Sequence, residues 1–331
     1  MLELTTENAA DYMRERGWTD GGFCQVEELA GGVSNVVFRV RTFKGLSVLK
    51  QSRPQLRTAD PWFSDLSRIY REIDAMQLLE PRLPDGCVPR VLFRDDENYA
   101  FLMTHAPRDN RDWRSVLLAG DVDPKLGDLA GQLLGRIHES TRVDIEAMAN
   151  LRDRTVFEQL RVEPFYRRVA ARIPEMAPLL QPLIDDVTTA EICLCHGDFS
   201  PKNLLLHGDG FTLVDYETAH LGDPAFDLGF FLSHLFLKAI MLPDKLQAFR
   251  LLFAGFWRGY QDACWFKPFI ALQGRGMHHL AGCLLARVDG ASPAPYLDDA
   301  KRIIARSIAL RLLRESVFDW DEAQAILTES L

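Results

Sequence analysis

The sequence predicts an α+β fold of two lobes: a small β-rich N-terminal lobe over residues 1–104 and a larger helical C-terminal lobe over residues 105–331. Three observations lead there. In the first hundred residues apolar and polar side chains alternate with a period of two, the spacing of half-buried strands. Beyond Met103 apolar positions recur at three- and four-residue spacing, as on helices packed along one face. Between these regimes His105, Ala106, Pro107, Arg108, Asp109 and Asn110 form a short polar connector that reads as a hinge. The chain, at 331 residues, is long enough to enclose a sizeable core.

Taken in order, Val36, Phe38 and Val40 alternate with Val37, Arg39 and Arg41, and Leu46, Val48 and Lys50 alternate with Ser47, Leu49 and Gln51. Lys44-Gly45 lies between the runs and predicts a hairpin. A helix is expected over 65–80, stopped by Pro81. A second hairpin is expected over 90–103, with Asp95, Asp96, Glu97 and Asn98 at its turn. In the second lobe Leu126, Leu129, Ala130, Leu133, Leu134 and Ile137 keep helical spacing, and further helices are expected over 158–171, 228–240, 245–260, 270–287 and 297–315. One strand pair interrupts them, Leu204–Leu206 and Phe211–Val214, about a His207-Gly208-Asp209-Gly210 turn. No internal repeat is evident.

Composition excludes several classes. A formal net charge of −9 with no block of like charges argues against a nucleic-acid partner or an anionic membrane surface. The longest apolar run, 228–237, is broken by Ser233 and His234 and falls short of the roughly 18 residues of a membrane helix. Neither a basic stretch nor a long apolar one marks the N-terminus as a secretory leader. The six cysteines include no CxxC pair, and alternation on a strand explains Cys193 and Cys195 better than zinc does. A reducing, cytoplasmic location is therefore the expectation.

The strongest local signal is His196-Gly197-Asp198-Phe199-Ser200-Pro201-Lys202-Asn203. An aspartate followed by an asparagine at this spacing is the arrangement in which protein kinases keep a base for the attacking hydroxyl and a hard oxygen ligand for magnesium. Asp215 ends the second strand of the following hairpin, so Asn203 and Asp215 should stand at adjacent hairpin ends, as two ligands of one metal require; Glu217 is placed to assist. A second copy, His207-Gly208-Asp209, has Val214 where a ligand should stand and reads as a turn. In the first lobe Gly31, Gly32, Ser34 and Asn35 lead into a strand, and glycines let backbone amides approach phosphates. Lys50 shares a strand face with Leu46 and Val48, while Glu72 lies in the apolar stripe of Ile69, Ile73, Met76 and Leu79. A carboxylate so placed wants a partner, and Lys50 is the economical one. Asp227, with Asp223, reads as buried support for the catalytic loop; His138 and His196 read as structural histidines.

Together these residues resemble the aminoglycoside phosphotransferase and choline kinase superfamily, most specifically across HGDFSPKN, LVDYE and GDPAFDL in family order. The first lobe is also similar to the methylthioribose kinases through Val48-Leu49-Lys50-Gln51, Pro54, Arg57, Trp62 and Arg71-Glu72. The resemblance implies a two-lobe protein-kinase-like fold and an ATP-dependent phosphotransferase acting on a hydroxyl of a small molecule. It implies Asp198 as catalytic base, Asn203 and Asp215 as magnesium ligands, Lys50 on the α- and β-phosphates with Glu72 orienting it, and the backbone of Met103 to His105 at the adenine. Ser200 and Lys202 depart from the protein-kinase pattern, and no activation-loop motif follows Asp215. A small molecule is thus expected over a protein substrate. The candidates for its pocket are His278, His279 and Arg287, with Trp257, Trp265 and Trp320 expected mainly to pack. The alternative is a pseudokinase that binds nucleotide without turnover.

Overall fold

The computed structural model describes all residues except 30–33, 56–62, 209, 266–268, 316 and 318. Gly31 and Gly32 of the expected phosphate loop, Arg57 and Trp62, and Asp209 of the second HGD copy lie outside the described residues.

Five antiparallel strands build the first lobe: β1 (Cys24–Glu28), β2 (Asn35–Thr42), β3 (Gly45–Ser52), β4 (Val91–Asp95) and β5 (Ala100–Thr104), in the order β1-β2-β3-β5-β4. Alternation assigns two faces to the sheet. Val36, Phe38, Val40, Leu49 and Leu102 pack against α1 (Ala9–Glu15), a helix the alternation pattern did not announce. Val48, Phe101 and Met103 face the other way, onto Ile69, Ile73, Met76 and Leu79 of α2 (Arg68–Leu79), and this core continues into the helical lobe. Lys50, two residues after Val48, is carried to that inner face. The β2–β3 register sets Val37 opposite Lys50, and β3–β5 sets Lys50 opposite Phe101.

The second lobe begins with the two-residue strand β6 (Arg111–Asp112), α3 (Trp113–Leu118) and α4 (Lys125–Arg142). Next, α5 (Thr155–Phe157) runs through a π-helix, Glu158–Arg167, into α6 (Arg168–Arg172). The single α-helix expected over 158–171 is thus a wider coil. Pro164 lies inside it; proline lacks the N–H that an α ladder needs, and π turns relieve the clash. Then follow α7 (Ala177–Thr189), β7 (Cys193–Cys195), β8 (Leu204–His207), β9 (Gly210–Leu213) and β10 (His220–Gly222). The chain closes with α8 (Pro224–Met241), α9 (Leu246–Ala263), α10 (Phe269–Asp289), α11 (Asp299–Arg314) and α12 (Trp320–Ser330).

Two features of packing position the site. Helices α4 and α9 approach so closely that a Cβ on Gly131 would lie 2.0 Å from the Phe256 carbonyl oxygen, so only glycine fits there. Among the described helices α8 alone is long and apolar enough to cross a membrane, and 89% of that stretch is buried inside the protein. It is a core helix, covered mainly by α10. β7 pairs with β10 and β8 with β9, so the segments that follow these strands, 196–203 and 214–219, meet at one edge of the helical lobe.

Candidate active site

The 196–203 loop is fixed from beneath by α8. Asp223 caps that helix by accepting from the Ala225 N–H, and one turn on, Asp227 is fully buried. The Asp227 carboxylate accepts the His196 N–H at 2.6 Å, the Gly197 N–H at 2.8 Å and the His138 Nε2–H at 3.3 Å. Burial alone would raise its pKa, but the bonds from His138 and the loop hold it below the usual carboxylate range. Gly197 has φ +73°, and a Cβ on it would meet the Thr218 carbonyl oxygen at 2.7 Å, so the residue before Asp198 has to be glycine. His196 accepts the Asp198 N–H at 3.1 Å and donates from Nε2 to the Val214 carbonyl at 3.2 Å. His138 and His196 therefore hold the loop.

Asp198 and Asn203 come together: Asn203 Nδ2 donates to Asp198 Oδ2 at 2.8 Å. The Val214 N–H donates to the Asn203 carbonyl at 3.0 Å, which sets Asp215 beside Asn203. Asp215 has φ +73°, a left-handed conformation that costs a non-glycine residue of order 1–3 kcal/mol and that clusters at functional sites. Lys50 Nζ lies 2.7 Å from Glu72 Oε2 and 2.7 Å from Asp215 Oδ1. Burial disfavours the Lys50 ammonium, but Asp215 and Glu72 outweigh it and raise its pKa. Burial also works against the Asp215 carboxylate, which Lys50 and Lys202 nevertheless hold well below the usual range. One ammonium cannot neutralise two carboxylates. The excess falls on fully buried Glu72, which burial pushes up to about 7 against the pull of Lys50.

Glu217, expected to assist at the metal, lines the cleft with its carboxylate engaged by side chains of the first lobe. Its carboxylate accepts from Ser34 Oγ at 2.6 Å and Asn35 Nδ2 at 2.7 Å, and pairs with Arg68 Nε at 3.3 Å. It fastens the start of β2 to the second lobe, and the Ser34 and Asn35 side chains are engaged there. Arg68 is fully buried and also donates to the Ser34 and Arg53 carbonyls. It stands one turn before Glu72 on the same helix face, which is the signal that could have found it. Asn203 and Asp215 remain as an oxygen donor set at adjoining hairpin ends, which suits a hard divalent cation.

A cleft of about 960 Å³ lies over these groups, lined by Ser34, Asn35, Val37, Val48, Lys50 and Met103 from the sheet and by Asp198, Asn203, Asp215 and Glu217 from the helical lobe. His105 adds no side chain to it; its ring turns onto the Ala106 carbonyl. Of the acceptor candidates Arg287 lines the cleft, but His278 and His279 do not. His278 is exposed, and His279 is fully buried with its Nδ1 2.9 Å from the Tyr166 hydroxyl. Helix phase explains this: nine residues, from 278 to 287, are two and a half turns and reach the opposite face. Trp257 and Trp320 pack against each other, and exposed Trp265 is absent from the cleft. Arg161, which the sequence reading passed over, contributes the nearest cation to the candidate base, its Nη2 lying 2.7 Å from Asp198 Oδ1.

Residues 25–264 match the model of the phosphotransferase enzyme family. The chain is 23% identical to the methylthioribose kinase of Geobacillus sp. (strain WCH70), over 95% of this chain and 91% of that one. It is likewise 23% identical to the 4-hydroxytryptamine kinase of Psilocybe cyanescens, over 71% and 74%. Among solved structures, a choline/ethanolamine kinase family protein from Mesorhizobium loti superposes with a TM-score of 0.57 at 17% identity, covering 98% of this chain and 100% of that one. An amicoumacin kinase in complex with AMP-PNP, Ca2+ and Ami gives 0.55 at 18%, covering 96% and 98%. The two-lobe fold is that of these kinases, and with the match extending over most of both lobes the chain belongs to the phosphotransferase enzyme family.

Proposed function

We propose that the protein transfers the γ-phosphoryl group of ATP to a hydroxyl of a small molecule. The observation that carries this reading is the meeting of Lys50, Asp215, Asn203 and Asp198 in one cleft between sheet and helices. Lys50, oriented by Glu72, would hold the α- and β-phosphates. Asn203 and Asp215 would hold magnesium, which when bound neutralises phosphate charge. The acceptor oxygen forms its bond to the γ-phosphorus as the bond from that phosphorus to the β–γ bridging oxygen breaks. ADP leaves, and the hydroxyl proton passes to Asp198. The chain's own contribution is positioning and fixed charge.

The test separates the two aspartates. Asp215→Ala should abolish both the ATP·magnesium-dependent rise in Tm and turnover. Asp198→Asn should keep that rise and lose about 10²–10⁴ in kcat with any accepted substrate. No shift with millimolar nucleotide would overturn the reading, and a shift without turnover on any hydroxyl would favour the pseudokinase alternative.

A further inference from the structure

The acceptor end of the cleft holds positive charge that carboxylates leave largely uncompensated. Arg114, Arg161 and Arg287 line it. Lys238, fully buried, stands beside two further lining residues: its Nζ donates to the His234 carbonyl at 3.2 Å and lies 6.0 Å from the Tyr296 ring. Arg161 is answered by Asp198, and half-exposed Arg114 meets Asp112 at 3.5 Å. Among the described residues neither Arg287 nor Lys238 forms an ion pair. Arg287 Nη1 donates to the Ser292 carbonyl and hydroxyl at 2.5 and 2.8 Å, while its Nε and the Tyr296 hydroxyl are buried without a hydrogen-bond partner.

The neighbouring groups register the field. Burial, Arg287 and Arg114 drive the Lys238 ammonium down to about 7, with Asp112 the opposing charge. Burial together with Lys238, Arg287, Arg161 and Arg114 keeps the His234 imidazole well below its ordinary value. An uncompensated cation in a partly dry cleft is costly, and a protein with a net charge of −9 has acidic residues enough to answer it. Instead the groups beside these cations are apolar: the Phe165 and Phe230 rings lie 5.7 and 5.4 Å from the Arg161 guanidinium, and Pro293 also lines the cleft.

We propose that this end of the cleft binds an oxyanion carried by the acceptor, a carboxylate or a phosphate monoester, so that the substrate is an acidic hydroxyl compound. The proposal rests on the kinase reading above. It sets this chain apart from an enzyme for cationic amino alcohols or aminoglycosides, whose charge would add to that of Arg114, Arg161 and Arg287. The acceptor's anion sits on Arg287 and Arg114, its hydroxyl reaches Asp198, and its apolar face lies on Phe165 and Phe230. Arginine suits the role because its planar fork meets a carboxylate or phosphate with two parallel bonds.

The experiment uses the whole chain saturated with AMP-PNP and magnesium, so that the nucleotide phosphates already occupy their places. Tm is followed on addition of D-glycerate, D-gluconate or inorganic phosphate, against glycerol, glucose and choline, with chloride matching ionic strength. The expected result is a rise with an anion and none with the neutral or cationic compounds; glycerate and gluconate against phosphate separate the carboxylate from the phosphate source. Arg287→Gln should weaken the anion's apparent Kd at least 10-fold and leave that of AMP-PNP within about twofold. Half-exposed Arg114→Gln supplies the same comparison should Arg287→Gln fail to fold. Equal shifts with anionic and neutral compounds, an anion effect unchanged in the variants, or displacement of AMP-PNP by the anion would each overturn the proposal. Absence of any AMP-PNP shift would instead sink the kinase reading beneath it.

Discussion

Replacing Lys50 by methionine removes the one cation between two carboxylates. At 2.7 Å and an effective dielectric near 20, each Lys50–carboxylate contact amounts to about 6 kcal/mol of Coulomb attraction, much of it offset by desolvation. Truncating one partner of a buried pair costs about 3–5 kcal/mol, because the other charge is left uncompensated. Here the orphans can take up protons, and that gives the loss a pH signature. Without Lys50 the folded-state pKa values of Glu72 and Asp215 both rise above their unfolded values. The folded variant then holds protons that the unfolded chain has released, so stability falls as pH rises through that window. Urea unfolding should show a loss of about 3–5 kcal/mol at pH 8 that shrinks below about 2 kcal/mol near pH 5. Glu72→Gln alone keeps the Lys50–Asp215 pair and removes a carboxylate already pushed up to about 7, so it should change stability by less than about 1 kcal/mol at pH 8. Lys50→Met with Glu72→Gln should lose less than the sum of the single losses. A pH-independent loss, or strict additivity, would refute the account of one ammonium shared by two acids.

Three further outcomes are expected. Asp227→Asn keeps shape but turns an amide N–H₂ toward the His196 and Gly197 N–H groups; it should lower kcat about 10²-fold or more while leaving the AMP-PNP·magnesium Tm shift, and a drop in nucleotide affinity of equal size would contradict the positioning role. Burial lowers His279 to about 4 from 6.5, so below pH 6.5 the unfolded chain binds a proton that the folded ring refuses; the stability this gives is complete above 6.5 and lost toward pH 4, and His279→Gln should lose about 3 kcal/mol less than wild type across that window, an unchanged slope counting against it. Gly131→Ala forces a methyl to within 2.0 Å of the Phe256 backbone oxygen, and should cost about 1–3 kcal/mol of unfolding free energy, read as a lower urea midpoint at unchanged m-value; a neutral result would mean α4 and α9 can part freely.

What was legible in the sequence was what lies within one element or one turn. The period of two on β3 puts Lys50 on the face of Val48, the helical stripe puts Glu72 on the face of Ile73, and their pairing follows from the same burial rule applied twice. The loop from His196 to Asn203 carried its own spacing. Contacts between distant segments were not legible. Nothing local says that Glu217 reaches Ser34, 183 positions away. Arg161 sits on the Glu158–Arg167 π-helix, whose wider turn breaks the 3.6-residue count that would have phased it. Lys238 did leave a trace: Asp227, His234 and Lys238 lie seven and four residues apart, a polar line along α8. Of these three only His234 reads in the sequence as a break in an apolar run, and the helix seen whole joins it to Asp227 and Lys238. His278 and His279 were misplaced for the converse reason, because proximity in sequence to Arg287 says nothing of helix phase.

Helix α8 also shapes how the chain must be made. Its 18 residues are largely apolar, yet α10, its main cover, comes later in the sequence, while α3, α4 and α5 touch it at Phe231, Asp227 and Phe226. During synthesis at about 5–20 residues per second, the end of α10 at Asp289 follows Met241 by 48 residues, so α8 waits roughly 2–10 s for its main cover. Over that interval a nascent segment with the length and apolarity of a membrane span stands uncovered near the ribosome, apart from contacts with what has already emerged. Its Asp227 can be satisfied early by the His196 and Gly197 amides, which precede it, whereas the Lys238 ammonium donates to the His234 carbonyl one turn back on the same helix. A ribosome-associated holding chaperone should therefore crosslink to nascent chains ending between residues 270 and 320, and release them once α10 and α11 are out.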